Sequence, residues 1–406
     1  MDLDRELDAE LRSWRRQGLE RILRPLDDSA GCRVRIYNRE NGDSREVLSL
    51  SSNNYLGLAG HPEVRQAAIA ALERLGLGSG ASRLVTGNYP EHEALERDLG
   101  AWKGTEDAVL FDSGYAVNTG VIPALAGPED LILSDRLNHA SLIDGCRLSR
   151  AVVRVYNHAD PAHARTLLAD RNRFRRCFVV TDTVFSMDGD LAPLSELCDL
   201  AEANDACLIT DDAHGGGVLG PEGAGAPAAM GAGRRIAVQI GTLSKALGAA
   251  GGFAAGSAVL CRYLRHRART FVFSTGMPPS TAAGARAALA LARRGDDLRD
   301  RLKHNIREIR IALRPLGYLI PDGSTPILPL LVGGESEAVR VSDALLEQGV
   351  LIPAIRYPTV PKGSARLRVT ASAALSSADL EWLRRAVANC SDTMSRLNAL
   401  SEEENP

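Results

Sequence analysis

Short apolar runs alternate with amphipathic segments through the middle of the chain. From residue 107 onward, runs of about five apolar residues are separated by stretches in which apolar residues recur at helical spacing. This alternation is typical of an α/β protein with a mainly parallel sheet and helices on both faces. The seven runs are 108–111, 131–133, 152–156, 177–181, 207–211, 236–240 and 253–255. Because ligands bind at the carboxyl ends of strands in such sheets, the residues that end each run are the first candidates for a site.

The segments on either side of this region predict further elements. Residues 2–24 predict an amphipathic helix packed on the body of the protein, and residues 33–37 and 47–50 predict a hairpin. Helices are expected at 62–75, 92–102, 280–293, 296–316, 336–348 and 377–393, and strands at 327–332, 350–355 and 365–370. We therefore expect four parts, namely an N-terminal helix and hairpin segment (1–48), a large domain (49–285), a small C-terminal α+β domain (286–395) and a disordered tail (396–406).

Composition narrows the class of protein. The chain has 406 residues, 45% of them hydrophobic, and a net charge of −3, so neither nucleic acid nor an anionic membrane is an expected partner. No apolar run reaches the ~18 residues that a membrane span needs, and the first residues lack the apolar segment of a secretory signal. The seven cysteines are odd in number and never spaced C-x-x-C. This usage predicts reduced thiols, a cytoplasmic protein and no metal site.

One lysine has unusual surroundings. The chain contains only four lysines, and Lys245 alone lies between an apolar run and a stretch rich in glycine and alanine. Desolvation favours the neutral amine, which is a nucleophile. The hydroxyls of Thr242 and Ser244 can bind an anion beside it. An amine next to a phosphate-binding cup indicates a Schiff base with pyridoxal 5'-phosphate (PLP), while the alternative is a surface lysine on a loop.

The run at 207–211 ends in a second group of polar residues. Asp211, Asp212 and His214 follow a strand that should be buried, and burying a charge without a partner is costly. A protonated pyridine nitrogen would be a partner for one carboxylate. A metal bound by Asp-Asp-x-His is the alternative, but no second cluster at ligand spacing supports it. The carboxylates at 181–190 lack the spacing of a calcium loop, so we expect no metal there.

Other strand ends carry weaker signals. Ser113 and Gly114 open a helix whose free N–H groups could bind a phosphate, although an ordinary helix cap explains the same residues. His139 could stack on a planar ring or be simply structural. Arg356, and either Arg366 or Arg368, could bind a carboxylate, although a solvated strand face would also carry arginines.

Seven segments together resemble the α-oxoamine synthases, a family of fold-type-I PLP enzymes. The resemblance covers residues 10–390, and its motifs occur in the expected order. They are SNNYLGL (52–58), GSGASR (78–83), LNHASL (137–142), FSMDGD (185–190), DDAHG (211–215), TLSKALG (242–248) and PTVPKGSARLR (358–368). The resemblance implies the aspartate-aminotransferase-like fold, with a seven-stranded sheet in the PLP-binding large domain.

The resemblance also implies a role for each site residue. Lys245 would hold the cofactor, Asp211 would pair with the pyridinium nitrogen, His139 would stack on the ring, and His214 would act with Ser186 beside the ring hydroxyl. Residues expected at the phosphate are Ser113, Gly114, Tyr115, Thr242 and Ser244, with Ser274 and Thr275 reaching it from a second subunit of a homodimer. Residues expected to bind the substrates are Arg368 for the carboxylate of the amino acid, Arg21, Arg356 and Thr359 near the acyl group, and Asn53.

The implied reaction is a decarboxylating condensation of an amino acid with an acyl thioester. The match is strongest to the enzymes of biotin biosynthesis, which implies L-alanine with pimeloyl-CoA or pimeloyl-carrier protein. Glycine with acetyl-CoA, or the substrates of a secondary-metabolite synthase, are alternatives within the family. A non-catalytic subunit of a heteromeric synthase is disfavoured because Lys245, Asp211 and His214 are present. A nicotinamide dehydrogenase is disfavoured because no G-x-G-x-x-G joins a strand to a helix.

Four positions depart from the family pattern. They are Asn54, where Asp is common, Thr183 in place of a small residue, Gly216 in place of Thr, and Leu375 in place of His. None of them removes an expected catalytic group. They leave the specificity for the acyl chain open.

Overall fold

A seven-stranded sheet forms the centre of the computed structural model, which describes residues 2–16, 19–20, 23–28, 31–37 and 42–403, the last thirteen as backbone only. Its strands, listed by sequence, are β4 (Asp107–Phe111), β5 (Leu131–Asp135), β6 (Val152–Tyr156), β7 (Cys177–Asp182), β8 (Cys207–Asp211), β9 (Val238–Thr242) and β10 (Gly252–Gly256). Their order is β4-β10-β9-β8-β7-β5-β6, and only β10 runs antiparallel to its neighbours. The predicted α/β class and mainly parallel sheet are confirmed.

Helices cover both faces of this sheet. They are α2 (Pro62–Leu75), α3 (Pro90–Lys103), α4 (Gly114–Leu125), α5 (Ala140–Ser149), α6 (Pro161–Thr166), α7 (Leu194–Ala203), α8 (Ala226–Ala229), α9 (Ala258–Arg267), α10 (Arg269–Val272) and α11 (Pro279–Arg293). Proline at the first turn of α2, α3 and α11 suits positions whose N–H groups have no helical partner. Helix α11 packs against α2 and α3, and α4 packs against α5. These contacts bury the central strands on both sides, which explains why their sequences are continuous apolar runs.

Two smaller sheets contain the remaining strands, and one of them combines strands from the N-terminal and C-terminal parts of the chain. The N-terminal strands are β1 (Leu26–Asp28), β2 (Arg33–Tyr37) and β3 (Ser44–Ser49), and the C-terminal ones are β11 (Ile327–Gly333), β12 (Val350–Leu351), β13 (Ala354–Ile355) and β14 (Ala365–Thr370). Their orders are β1-β2-β3-β12 and β11-β14-β13. The prediction of one strand over 350–355 is wrong, because its two halves enter different sheets. Pro353 lies between them and cannot donate a hydrogen bond to a ladder.

The terminal helices differ from their predicted lengths. Helix α1 (Leu3–Arg16) ends before residue 24, and Gly18, a poor helix former, follows in the sequence. It has no buried residue, so the prediction that it packs on the body is wrong. The remaining helices are α12 (Asp296–Leu313), α13 (Glu335–Glu347) and α14 (Ser377–Glu403). Helix α14 extends beyond residue 393 and through most of the tail expected to be disordered, and no glycine or proline interrupts it.

Hydrophobic side chains of the N-terminal hairpin, the helices around α11 and the C-terminal sheet form one continuous core. Leu48 and Leu50 of the hairpin region are buried in it together with Leu367 of β14. The boundaries between domains therefore stay a prediction. No helix among the described residues combines the length and the apolar character that crossing a membrane requires.

Candidate functional site

A cleft at the carboxyl ends of β7, β8 and β9 collects the polar residues of the strand-end motifs. Asp182 ends β7, Asp211 ends β8, and Lys245 lies three residues beyond the end of β9. His139 caps α5, the helix after β5. Parallel strands place these ends at one edge of the sheet, as the sequence predicts. The segments that carry the strongest chemical signals therefore meet in space.

The amine of Lys245 is enclosed by other site residues. The residue as a whole is partly exposed, but protein surrounds its Nζ, which lies 2.8 Å from Nε2 of His214. Desolvation by burial lowers the pKa of Lys245 to about 8, while Asp211 and Asp182 act in the opposite direction. His214 is 5% exposed, and burial together with the nearby Lys245 and Arg368 holds its pKa well below the usual value. Lys245 thus has a basic amine that is partly neutral near physiological pH.

The depressed pKa of Lys245 predicts how its reactivity changes with pH. In the cofactor-free protein, the rate of covalent attachment of PLP should rise about tenfold per pH unit at low pH and level off above about pH 8, because only the neutral amine attacks an aldehyde. An ordinary lysine would continue to gain reactivity up to its usual pKa of 10.5. Stopped-flow absorbance follows the reaction. A rate that keeps rising through pH 10 would contradict the assignment.

Asp211 is a buried carboxylate held by neutral donors. Its Oδ2 accepts a hydrogen bond of 2.7 Å from Nδ2 of Asn118, and its Oδ1 accepts one of 2.9 Å from the N–H of Ala213. Among the described residues, no cation lies within ion-pair distance of Asp211. Asp182 accepts the N–H of His139 at 2.6 Å, and its pKa is raised well above the usual range by burial and by Asp211. The cleft therefore has a carboxylate positioned for a cation that none of the described residues provides.

Asp212 points away from this cleft. Its Oδ2 accepts a 2.7 Å hydrogen bond from Nζ of Lys103, and its Oδ1 accepts one of 2.6 Å from Thr183. Both side chains of the Lys103–Asp212 pair are almost fully buried. The two neighbouring carboxylates thus serve different partners, so they do not converge on a common metal ion. Thr183, one of the departures from the family pattern, has a structural explanation in this contact.

Removing Lys103 should destabilise the protein strongly. In Lys103→Met, Asp212 would remain buried without a counter-ion, which costs about 3–5 kcal/mol. We expect a lower urea midpoint, measured at fixed protein and cofactor concentrations. The double variant Lys103→Met with Asp212→Asn should regain most of the loss because it buries no charge. Equal stability of the single and the double variant would show that the unpaired charge of Asp212 does not cause the destabilisation.

The start of α4 and the end of β9 form a small polar cup. Ser113 caps α4 by accepting the N–H of Ala116 at 3.0 Å, and an added Cβ at Gly114 would lie 3.5 Å from the side chain of Thr242. The hydroxyls of Thr242 and Ser244 are 2.8 Å apart. Unpaired N–H groups at a helix start and nearby hydroxyls suit a phosphate. The structure therefore brings together the residues predicted for this role.

Two other residues predicted at the phosphate have side-chain partners within the chain. The hydroxyl of Tyr115 donates to Asp144, and the hydroxyl of Ser274 donates to Asp112, next to the cup. Thr275 adjoins Ser274 in the loop after α10. Contact of Tyr115 with the phosphate, and of Ser274 and Thr275 with the phosphate of a second subunit, stays a prediction. So does ring stacking by His139, whose Nδ1 lies 2.7 Å from the hydroxyl of Ser141.

The arginines of β14 have different environments. Arg366 is buried and forms an ion pair with Asp188. Arg368 donates from Nε to the carbonyl of Ser186 at 2.5 Å and from Nη1 to Oδ1 of Asn53 at 3.2 Å. Arg368, which has no ion pair with a described residue, is therefore the better candidate for binding a carboxylate. The interpretation of these arginines as a solvated strand face is wrong.

The structure describes two of the three residues predicted to bind the acyl group. Arg356 and Thr359 lie just after β13, where the N–H of Thr359 donates to the carbonyl of Arg356 at 3.0 Å. Arg21 lies outside the described residues. Their roles stay predictions.

Sequence reasoning missed several residues that shape this cleft. Tyr55 is fully buried, and its hydroxyl lies 2.7 Å from Nδ1 of His214. Asn118 holds Asp211 from inside an otherwise largely apolar helix, and Lys103 holds Asp212. A polar side chain inside an apolar segment was the available signal for Asn118. For Tyr55 and Lys103, the sequence offered no comparable signal.

Comparison with known proteins identifies the family. The model of the aminotransferase class I and II family matches residues 45–387. The chain is 48% identical to the 8-amino-7-oxononanoate synthase of Geotalea daltonii, over 94% of this chain and 96% of the relative. It is also 48% identical to the synthase of Geobacter sulfurreducens, with 95% and 97% covered. The chain belongs to the α-oxoamine synthase family.

Solved structures agree with this assignment. Serine palmitoyltransferase of Sphingomonas wittichii superimposes with a TM-score of 0.87 at 30% identity, covering 95% of this chain and 97% of that one. The 8-amino-7-oxononanoate synthase of Francisella tularensis gives a TM-score of 0.73 at 25% identity, with 87% and 99% covered. The predicted fold type I is confirmed, and the cofactor of this α-oxoamine synthase is PLP.

The cleft fits PLP on its own geometry. Lys245 offers an amine with a depressed pKa, and Asp211 offers a buried carboxylate without a cation partner among the described residues. The cup at Gly114 and Thr242 offers phosphate donors at one side of the cleft. An aldehyde, a pyridinium nitrogen and a phosphate are the three groups of PLP that these features match.

Proposed function

We propose that this chain joins L-alanine to the pimeloyl group of pimeloyl-CoA or pimeloyl-carrier protein, with loss of carbon dioxide, to give 8-amino-7-oxononanoate for biotin biosynthesis. The observation that carries the proposal is the amine of Lys245 in the same cleft as Asp211, a buried carboxylate without a cation partner among the described residues. The choice of substrates rests on the relatives named 8-amino-7-oxononanoate synthase.

Lys245 is the residue that holds the cofactor and moves the proton. PLP, when bound, withdraws electrons from the α-carbon of the amino acid and so makes its proton acidic. The neutral amine of Lys245 accepts that proton, and the resulting ammonium can return one after carbon dioxide has left. Asp211 keeps the proton on the pyridine nitrogen through its negative charge, while Asn118 and the N–H of Ala213 fix the carboxylate in place.

The neighbouring residues bind and orient the reactants. Arg368, held by Asn53 and the carbonyl of Ser186, binds the carboxylate of L-alanine. His139 covers one face of the ring, and His214 lies beside the ring hydroxyl with Ser186. The residues proposed for the phosphate are Ser113, Gly114, Tyr115, Thr242 and Ser244. Arg21, Arg356 and Thr359 are proposed for the pimeloyl group.

We also propose a homodimer in the cytoplasm, with each site completed by Ser274 and Thr275 of the second subunit. Phe273, next to Ser274, is 71% exposed, and Val85 is 74% exposed. Exposed apolar side chains near a site support contact with another subunit. All seven cysteines are unpaired, which supports a reducing compartment.

The test is a matrix of substrates with the PLP-loaded protein. L-alanine, glycine and L-serine are each combined with pimeloyl-CoA, acetyl-CoA and palmitoyl-CoA, and thiol release and product mass are measured. We expect turnover chiefly with L-alanine and pimeloyl-CoA, and a product with the mass of 8-amino-7-oxononanoate. Preference for glycine with acetyl-CoA, or for L-serine with palmitoyl-CoA, would assign another reaction of the family. No turnover in any combination, with no visible absorption from bound PLP, would support a non-catalytic subunit.

A further inference from the structure

A line of hydrogen bonds joins the catalytic lysine to the proposed carboxylate-binding arginine. Nζ of Lys245 lies 2.8 Å from Nε2 of His214, and Nδ1 of His214 lies 2.7 Å from the hydroxyl of Tyr55. That hydroxyl is 3.0 Å from Oδ1 of Asn53, which also accepts a hydrogen bond from Arg368. Tyr55 is fully buried, so its hydroxyl is shielded from bulk water. The direction of each bond in this line can therefore be worked out from what each group can donate or accept.

The arginine end of the line limits the possible directions of these hydrogen bonds. A guanidinium has only donors, so the atom of Asn53 that faces Arg368 must be its oxygen. The same oxygen faces the hydroxyl of Tyr55, and an amide oxygen cannot donate. Arg368 also lies beside the hydroxyl itself, so the hydroxyl accepts from the guanidinium and gives its single proton either to Asn53 or to His214. In the first case Nδ1 of His214 donates to the hydroxyl and carries a proton.

The lysine end selects the direction in which Nδ1 of His214 carries the proton. Below pH 8 Lys245 is largely an ammonium group, which has only donors. The nitrogen of His214 that faces it, Nε2, must therefore be an acceptor without a proton. His214 is neutral because it is buried near Lys245 and Arg368, both cationic. A neutral imidazole with a bare Nε2 carries its proton on Nδ1.

We propose that Tyr55 is a positioning residue that fixes His214 in the tautomer with its proton on Nδ1, so that the lone pair of Nε2 faces Lys245. Tyr55 acts through His214 and touches no reacting atom itself. If Tyr55 only filled space, a single hydrogen-bond partner would satisfy its hydroxyl. The hydroxyl instead contacts Asn53 on one side and His214 on the other. The proposal refines the catalytic centre of the proposed function, and it makes no use of the identity of the substrates.

Replacing Tyr55 with phenylalanine should reverse the tautomer. The proton on Nδ1 would lose its acceptor in a buried position, so it should move to Nε2 when Lys245 is a neutral amine that can accept a hydrogen bond. An N–H at Nε2 would then face Lys245 and favour the neutral amine, lowering the pKa of Lys245 by roughly one unit. The charged groups around the amine, namely Asp211 on β8, Asp182 on β7 and Arg368 on β14, are unchanged by the substitution. A lower pKa of Lys245 in this variant would therefore report a change in the tautomer of His214.

The experiment uses nuclear magnetic resonance on the cofactor-free protein. Lysines labelled with carbon-13 at Cε give four signals, because the chain has four lysines. The signal that is missing in Lys245→Met is that of Lys245. Histidines labelled with nitrogen-15 report their tautomers, and His214→Gln identifies His214. We expect Nδ1–H in the wild type, Nε2–H in Tyr55→Phe, and a lower pKa of Lys245 in that variant. Tyr156→Phe, which alters an equally buried tyrosine on the edge strand β6, should change neither signal.

Either of two results would overturn the proposal. A proton on Nε2 of His214 in the wild type would mean that the hydrogen bonds run in the opposite direction. This measurement does not depend on the folding of any tyrosine variant. A Tyr55→Phe protein that keeps Nδ1–H and an unchanged pKa of Lys245 would show that Tyr55 does not fix the tautomer. Neither result depends on turnover, so failure here is distinguishable from failure of the proposed reaction.

Discussion

Lys245→Ala is expected to reduce turnover by at least about 10³-fold, because it removes the residue that we propose both to hold the cofactor and to act as the base that moves the α-proton. Thiol release from pimeloyl-CoA measures the loss. A second readout is independent of turnover: after reduction with borohydride, the intact mass of the wild type should increase by one reduced cofactor and that of the variant should not.

The matched control for this prediction is Lys303→Ala. Lys303 lies on α12 with 64% of its side chain exposed and pairs with Asp300 of the same helix, so both readouts should stay at wild-type values. If Lys245→Ala retained a tenth of the activity, or still carried the cofactor covalently, another amine would have to be the attachment site.

Asp211→Asn should lower kcat/KM by roughly 10²–10³-fold. The amide keeps the shape of the side chain but removes the negative charge that stabilises a protonated pyridine nitrogen, and breaking a buried pair of this kind costs about 3–5 kcal/mol. Steady-state kinetics measure the change. The visible absorption of the bound cofactor as a function of pH should show that the ring nitrogen loses its proton at lower pH than in the wild type.

Asp130→Asn provides the comparison for Asp211. Asp130 is as well buried, but it lies just before β5 at the opposite end of the sheet, where it pairs with Arg175 and accepts the N–H of Gly127. Its replacement should reduce stability and leave kcat/KM near the wild-type value. Similar kinetic losses in both variants would indicate a general effect of removing a buried carboxylate, in place of a specific role for Asp211.

Local sequence pattern was sufficient for most elements of this fold. Each of the seven apolar runs corresponds to a strand, although the run at 236–240 gives a strand shifted by two residues, Val238–Thr242. The errors are found where local pattern and tertiary context compete. The run at 350–355 is divided between two sheets, and α1 has an amphipathic sequence without any buried side chain. Periodicity records which residues share a face, but it does not record what that face meets.

The sequence by itself predicted the candidate residues of the cleft, because Lys245, Asp211, His214 and the residues proposed for the phosphate each lie at or just after the end of a strand whose position could be recognised. Only the tertiary structure decided which groups are partners. Tyr55 and His214 are 159 residues apart, and Lys103 and Asp212 are 109 apart. It also distinguished Arg366, which is paired with Asp188, from Arg368 two residues later. Hydrogen bonds and ion pairs depend on distances of a few ångströms between distant segments, and those distances exist only after the strands and helices have packed.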